Sequence, residues 1–310
     1  ALLLSDLRVE MTAFCTEYKG IEPMVSPNLK IETLIQQTNE LPSIPAAAMA
    51  VLNEVNNPNS NALSISRLLL QDQALATRVL RLANSAYYGL SRQVADLQEA
   101  VVILGMRSIR NLALVAGTYP WLTKEFKGYA LGPKALWTHS LGVAVGAQCL
   151  AKASRKAQPD ECFMAGLLHN LGKVVLAVSL EGHLHNIFQL AETENIGFDE
   201  AERRYLGYDH CDVGAHLAAK WNLPELFQAA MQYHHTPNQA DMHQSIVDCV
   251  HLGDYLATTF GLGLGGDGLR YILSSEALDR LGIDSETFEQ IVSDFPETFV
   301  EYEQMFDSIS

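Results

Sequence analysis

Apolar residues recur at three- and four-residue steps along almost the whole chain, and no stretch of useful length alternates as a strand would. That periodicity commits the chain to an all-α fold, because a helix buries one stripe of side chains and needs other helices against it. Near the start, Leu4, Leu7, Met11, Phe14 and Tyr18 share one helix face, and the turn-rich run GIEPMVSPN then interrupts the pattern. Residues 1–25 are expected as an N-terminal helix and linker, either a flap on the main body or a lead from an upstream domain.

From 26 to 130 the pattern gives a bundle of short helices. Pro42 and Pro45 both suit the start of a helix in LPSIPAAAMAVLNEV. Asp72 is placed to cap QALATRVLRLANSA. A further helix runs from Asp96 to Gly105, and MRSIRNLALVAG is expected to stop at Gly117. The Gly/Pro-bearing KGYALGPK separates this bundle from a second helical lobe at 131–265, so two packed lobes are expected. Its helices fall near 134–154, 159–169, 171–194, 198–206, 210–221, 224–235 and 240–260. Beyond the glycine-rich GLGLGGDG, residues 266–310 read as short acidic helices, the last two capped by Ser275 and Ser285.

Charge narrows the functional classes. The net charge is −15, and residues 240–310 hold fourteen acidic residues against two arginines, while 61–110 hold six arginines against three acids. An acidic chain without a basic stripe lacks the electrostatic footprint of a nucleic-acid binder. No uninterrupted apolar run approaches the ~20 residues of a membrane span, which argues against a membrane partner. The five cysteines, Cys15, Cys149, Cys162, Cys211 and Cys249, are scattered with no CxxC pair. They read as small buried apolar residues in a reducing cytoplasm rather than as a disulfide or zinc-thiolate framework.

Chemistry concentrates in the second lobe. All ten histidines lie between His139 and His251. His169 precedes Asn170 and Gly172, and His234–His235 precede Pro237, so both doublets sit where a helix should end. Neighbouring residues diverge by about 100° on a regular helix and converge more easily where it unwinds. His139, His169, His210, His234, His235 and Asp254 could thus assemble a nitrogen-rich pocket for iron, manganese, zinc or nickel. The loop GLGLGGDG has G-x-G spacing but neither the Lys-Ser/Thr nor the strand that a phosphate loop requires.

At these residues the chain resembles the HD superfamily of metal-dependent phosphohydrolases, and its HDOD branch most closely, over roughly 30–260. The histidines and Asp254 follow that family's order, and LPSIP, QDQALATRVLRLANSAYYG and LGMRSIRNLAL resemble its first-half signature. The resemblance implies an all-helical bundle followed by an HD-like lobe, used as an output or scaffold in bacterial signal transduction. It also implies metal ligation by the six residues named above. The partners it implies are signalling proteins or an upstream receiver-type domain, with a small phosphate-bearing ligand in the pocket.

The family's His-Asp doublet, however, reads His169-Asn170 here. Two divalent ions held about 3.5–4 Å apart need an anionic bridge. With Asp254 as the lone carboxylate, two ions would leave a formal +3 and one ion +1. One divalent metal is therefore the expected limit, and the leading reading is a regulatory module that senses or scaffolds without hydrolysing. A mononuclear phosphohydrolase acting on nucleotides or cyclic dinucleotides is the first alternative, and a helical interaction protein with an empty pocket the second. Lys173 is placed either to contact a phosphate or to cap helix carbonyls. His251, one turn before Asp254, is either an outer-shell partner or a core histidine, while His183, His185, His216 and His243 match no ligand position.

Overall fold

The structure, a computed structural model, describes residues 30–37, 45–55, 57–85, 88–265 and 273–307. The expected helix at Leu4–Tyr18, the 1–25 linker and Pro42 lie outside the described residues. Within them the chain is helical, and the first half comprises α1 (Ile31–Gln37), α2 (Ala46–Val55), α3 (Ala62–Leu69), α4 (Gln73–Ala83), α5 (Leu97–Leu104) and α6 (Met106–Leu122). Local chemistry sets these boundaries. Asp72 accepts from the Leu75 amide at 3.0 Å, Asp96 accepts from the Glu99 amide at 2.8 Å, and Gly105 closes α5 at a φ of 83°. Asn61 and Ser64 form a reciprocal capping box on α3.

The expected stop at Gly117 is wrong, because α6 continues to Leu122 with Pro120 inside it. A proline lacks the N–H that would bond the carbonyl four residues earlier. Here Arg78 of α4 donates to that carbonyl, Ala116 O, at 3.3 Å. The helix can then run on, and it is buried almost throughout because helices of both halves pack around it.

The second half comprises α7 (Ala135–Ser154), α8 (Pro159–Leu168), α9 (Leu171–Ser179), α10 (Glu181–Glu194), α11 (Phe198–Leu206), α12 (His210–Lys220), α13 (Glu225–Tyr233) and α14 (Gln244–Thr259). The single helix expected over 171–194 is two, broken at Leu180, whose φ of −132° leaves the helical region. The expected start near 240 is too early: a short 3₁₀ turn at Pro237–Gln239 precedes α14, which begins at Gln244. The run Pro159–Ser179 has the length and hydropathy of a membrane span, yet it is two helices meeting at Asn170 with 89% of its apolar window buried. Its apolarity is that of a core.

The C-terminal elements, α15 (Ser275–Leu281) and α16 (Ser285–Asp307), depart from the expected short helices, since α16 runs for 23 residues. Their caps also fall one residue earlier than expected. Ser274 precedes α15, and Asp284 accepts from the Thr287 amide at 2.9 Å. Along α16, Phe295, Phe299, Tyr302 and Phe306 bury one stripe while the acids face outward. Phe306 packs edge-on to Trp137 of α7 at 5.4 Å between ring centres, so the acidic tail is part of the body. One apolar core runs from Leu34 to Phe306 through both halves.

Candidate metal centre

Close helix approach positions the site. Where α7 and α14 cross, a Cβ on Gly253 would lie 2.6 Å from Val143 O, so only glycine permits the contact that sets His139 beside Asp254. Where α9 meets α12, a Cβ on Gly172 would lie 1.9 Å from His210 O. Gly172 thereby brings the first residue of α12 against the His169–Asn170 junction. That residue, His210, follows Asp209, which caps α12 and is itself gripped by Arg203 at 2.6 Å.

All six expected ligands converge, in two groups. His139, His169 and Asp254 present one donor atom each within 4.8 Å of one another, and so do His210, His234 and His235 together with Cys211. The groups adjoin through the His169 and His234 rings, whose centres are 4.8 Å apart. His139 Nε2 lies 3.1 Å from Asp254 Oδ1, and His210 Nε2 lies 3.2 Å from His235 Nε2. The doublets do not need a disordered helix end: His234 keeps helical angles, and the turn comes at Thr236, with a φ of −126° and ψ of 60°.

Anchoring of the opposite ring nitrogens fixes which nitrogen each histidine offers. A ring nitrogen against a carbonyl must carry the hydrogen, leaving its other nitrogen as the lone-pair donor. His139 Nδ1 donates to Leu262 O at 3.2 Å, His169 Nδ1 to Gly166 O at 2.6 Å and His234 Nδ1 to Met231 O at 2.9 Å. His210 Nδ1 donates to Glu202 Oε2 at 2.6 Å. Four imidazoles are thus held by the kind of outer partner that orients metal-ligating histidines. The glycine-rich loop contributes the Leu262 carbonyl, so its role is to hold His139. His251 proves to be a buttress: its Nδ1 donates to His234 O at 2.7 Å and its Nε2 accepts from the Ser274 amide at 3.0 Å.

Electrostatics favour neutral imidazoles. Burial pushes His169 down to about 3. Burial and neighbouring imidazoles hold His234 and His235 well below the ordinary histidine value. For Asp254 burial works upward, but its imidazole neighbours, His139 first, hold the carboxyl well below its usual range. His210 goes the other way: burial would lower it, and the Glu202 carboxylate raises it overall. Metals bind neutral histidine and ionised carboxylate, so His169, His234, His235 and Asp254 show the pattern a cation needs, while His210 would give up a proton on binding one.

Three buried atoms at the junction carry the strongest signal of a missing partner. His169 Nε2 and both Asn170 side-chain atoms have no hydrogen bond within the protein, and the two residues are 0% and 1% exposed. An unsatisfied buried polar group costs about 1–3 kcal/mol, which a ligand at that point would recover. The donor set therefore fits a cation, with the Asn170 amide standing where the family pattern has its carboxylate.

Glu202 corrects the sequence-based charge count, in which Asp254 was the lone carboxylate. It is fully buried on α11 and accepts from Tyr129 Oη at 2.5 Å, from the His210 amide at 2.9 Å and from His210 Nδ1. The signal was present in the sequence: Phe198, Ala201, Glu202, Tyr205 and Leu206 fall on one stripe, so a carboxylate sits on a face that must be buried. Cys211, read as a small apolar residue, is buried but places its Sγ 3.8 Å from His234 Nε2. Lys173 is 5% exposed and lines a cavity of about 390 Å³ with His139, His210, His235 and Asp254. It does not extend to solvent. His183 instead meets Tyr205 Oη at 3.2 Å, and His216 lies on the surface, both away from the cluster.

Comparison with known proteins agrees with this architecture. An uncharacterized protein of Treponema pallidum is 28% identical over 265 residues, 80% of this chain and 50% of its own length. The cyclic di-GMP phosphodiesterase CdgJ of Vibrio cholerae is 27% identical over 156 residues, 50% of this chain and 34% of its own. This chain therefore spans half or less of the curated relatives it matches. A crystal structure of an HDOD domain protein of unknown function from Geobacter sulfurreducens superposes with a TM-score of 0.70 at 27% identity, covering 89% of this chain and 97% of that one. A candidate phosphohydrolase from Shewanella amazonensis superposes at 0.68 with 25% identity, covering 89% and 98%. The family model of the HDOD domain matches residues 41–237, and the chain belongs to the HDOD domain family.

Proposed function

We propose that this chain is a regulatory HDOD module whose metal centre binds one divalent ion without forming a hydrolytic pair. The observation that carries the reading is Asn170, an unpartnered buried amide that follows His169 in the chain. His139, His169 and Asp254 would hold the ion, because that group alone contains a carboxylate. Iron, manganese, zinc and nickel all suit such a set. When bound, the ion supplies Lewis acidity and charge for an anionic ligand.

The chain's own residues supply the rest. Against one divalent ion, Asp254 and the outer Glu202 give formal neutrality, and Lys173 returns the cavity to +1. That balance suits a small phosphate-bearing ligand, with Lys173 as its contact. Binding there would bias the packing of α9 and α12 about Gly172, a route from ligand to signalling partner such as a receiver-type domain. The likeness to a cyclic di-GMP phosphodiesterase supports a hydrolase as the second reading, which the neutral residue at 170 disfavours. The test is metal analysis of protein purified without chelator, followed by turnover assays with cyclic dinucleotides and generic phosphoesters. One divalent metal ion per chain and no turnover is expected; a paired-ion centre with brisk cleavage overturns the proposal.

A further inference from the structure

The cavity over the metal centre carries opposite charge at its floor and at its mouth. Lys173, His139, His210 and Asp254 line it as buried residues, so they form the floor. With one divalent ion and Glu202 that floor carries a formal +1. The turn from α10 into α11 lines the same cavity nearer to solvent, and it brings two carboxylates, half-buried Asp199 and exposed Glu200. Apolar wall lies in the cavity too, from Leu136, Phe198 and Leu264. We propose that the cavity selects a dipolar ligand, an aminoalkyl phosphate bound with its phosphate at the floor and its ammonium against Asp199. The inference rests on the phosphate-ligand reading above and deepens it by naming the other end of the molecule.

The two carboxylates differ in what they are free to do. Glu200 is committed, since it pairs with Arg204, which also holds Glu194. Asp199 makes no hydrogen bond or ion pair among the described residues. Its position depends on the glycine two residues before it. A Cβ on Gly197 would lie 2.5 Å from Asp199 Oδ1, so the missing side chain is what leaves room for the carboxylate there. Gly197 has an ordinary φ of −62°, so backbone conformation does not require a glycine at this place.

Electrostatics then sort ligands. A phosphate drawn to the floor directs its substituent towards the mouth. An ammonium on that substituent meets Asp199 in a half-buried setting, where a charge-assisted hydrogen bond is stronger than at an open surface. A neutral alkyl end gains apolar contact alone. A second phosphate, as in a polyphosphate or a cyclic dinucleotide, would meet a carboxylate and be repelled.

Isothermal titration calorimetry of the metal-bound full chain tests this, with alkylphosphonates and aminoalkylphosphonates of matched, increasing chain length as probes. Their carbon–phosphorus bond keeps binding separate from phosphoester turnover. One aminoalkyl length should bind at least about 10-fold tighter than its alkyl counterpart, the scale of one hydrogen bond to a charged group. Asp199→Asn should erase that preference and leave alkylphosphonate affinity unchanged. Gly197→Ala keeps every charge but crowds the carboxylate, and it should reduce the preference, whereas Glu200→Gln should preserve it. An acid in a first helical turn also complements the helix dipole. Were that its whole role, Asp199→Asn would lower the melting temperature and spare the preference, which overturns the proposal. Equal binding of the two series at every length overturns it as well and leaves the phosphate reading standing. Failure of both series to bind removes that reading and this inference together.

Discussion

Asn170→Asp restores one carboxylate and should convert a missing charge into a measurable trade between stability and metal. The site offers that carboxylate no donor, since both side-chain atoms of Asn170 are unpartnered, and Asp254 adds a like charge in the same cluster. An uncompensated buried charge costs about 3–5 kcal/mol. At roughly 2 °C per kcal/mol for a chain of this size, the metal-free variant should melt about 6–10 °C below the parent. The introduced carboxyl will resist ionisation, so its folded value rises above the unfolded value of about 3.9. The penalty is therefore small near pH 4, grows as pH rises, and levels off above the folded value. Manganese should reverse the sign. Each ion at 100 times its dissociation constant adds about 2.7 kcal/mol, and the variant, with an anionic bridge, should bind two where the parent binds one. Differential scanning fluorimetry across pH, with and without manganese, and metal analysis after desalting read both effects. A metal-free variant as stable as the parent at pH 8, or one whose manganese content does not rise, refutes the charge reasoning.

Two further expectations follow from the site's packing and titration. His169 falls to about 3 in the folded protein, below its ordinary 6.5, so the unfolded chain binds more protons and stability drops as pH falls from about 6.5 towards 3. Between pH 7 and pH 5 His169 alone should cost about 2 kcal/mol, with His234 and His235 adding to it; urea denaturation at the two pH values measures this, and a flat profile contradicts it. Gly172→Ala forces a methyl to within 1.9 Å of His210 O, so α9 and α12 must separate. A loss of about 3 kcal/mol, the upper end for overpacking, is expected by chemical denaturation, and near-parental stability would show that the contact relaxes cheaply.

Much of this molecule was legible from residue order. Helical periodicity, the cap at Asp72, the helix start near Asp96, the stop at Gly105 and the set of six converging donor residues depend on interactions within a turn or two, or on a pattern carried whole in the sequence. What misled were places where tertiary contacts override local signals. Gly117 and Pro120 should end a helix, but Arg78 arrives from another helix to serve the freed carbonyl. The segment that forms α16 read as short acidic helices because its charges are visible in composition and the packing of its aromatic stripe is not.

The sequence by itself determined that the chain would be helical, that six residues could ligate a metal, and that position 170 carries no charge. Only the tertiary structure decided that the donors divide into two groups, which nitrogen each anchored imidazole offers, and that Glu202 and Cys211 stand among them. The reason is physical. A residue's type travels with the chain, but the charge around a buried cation is a sum over neighbours brought from distant helices, and that sum exists only once the helices pack.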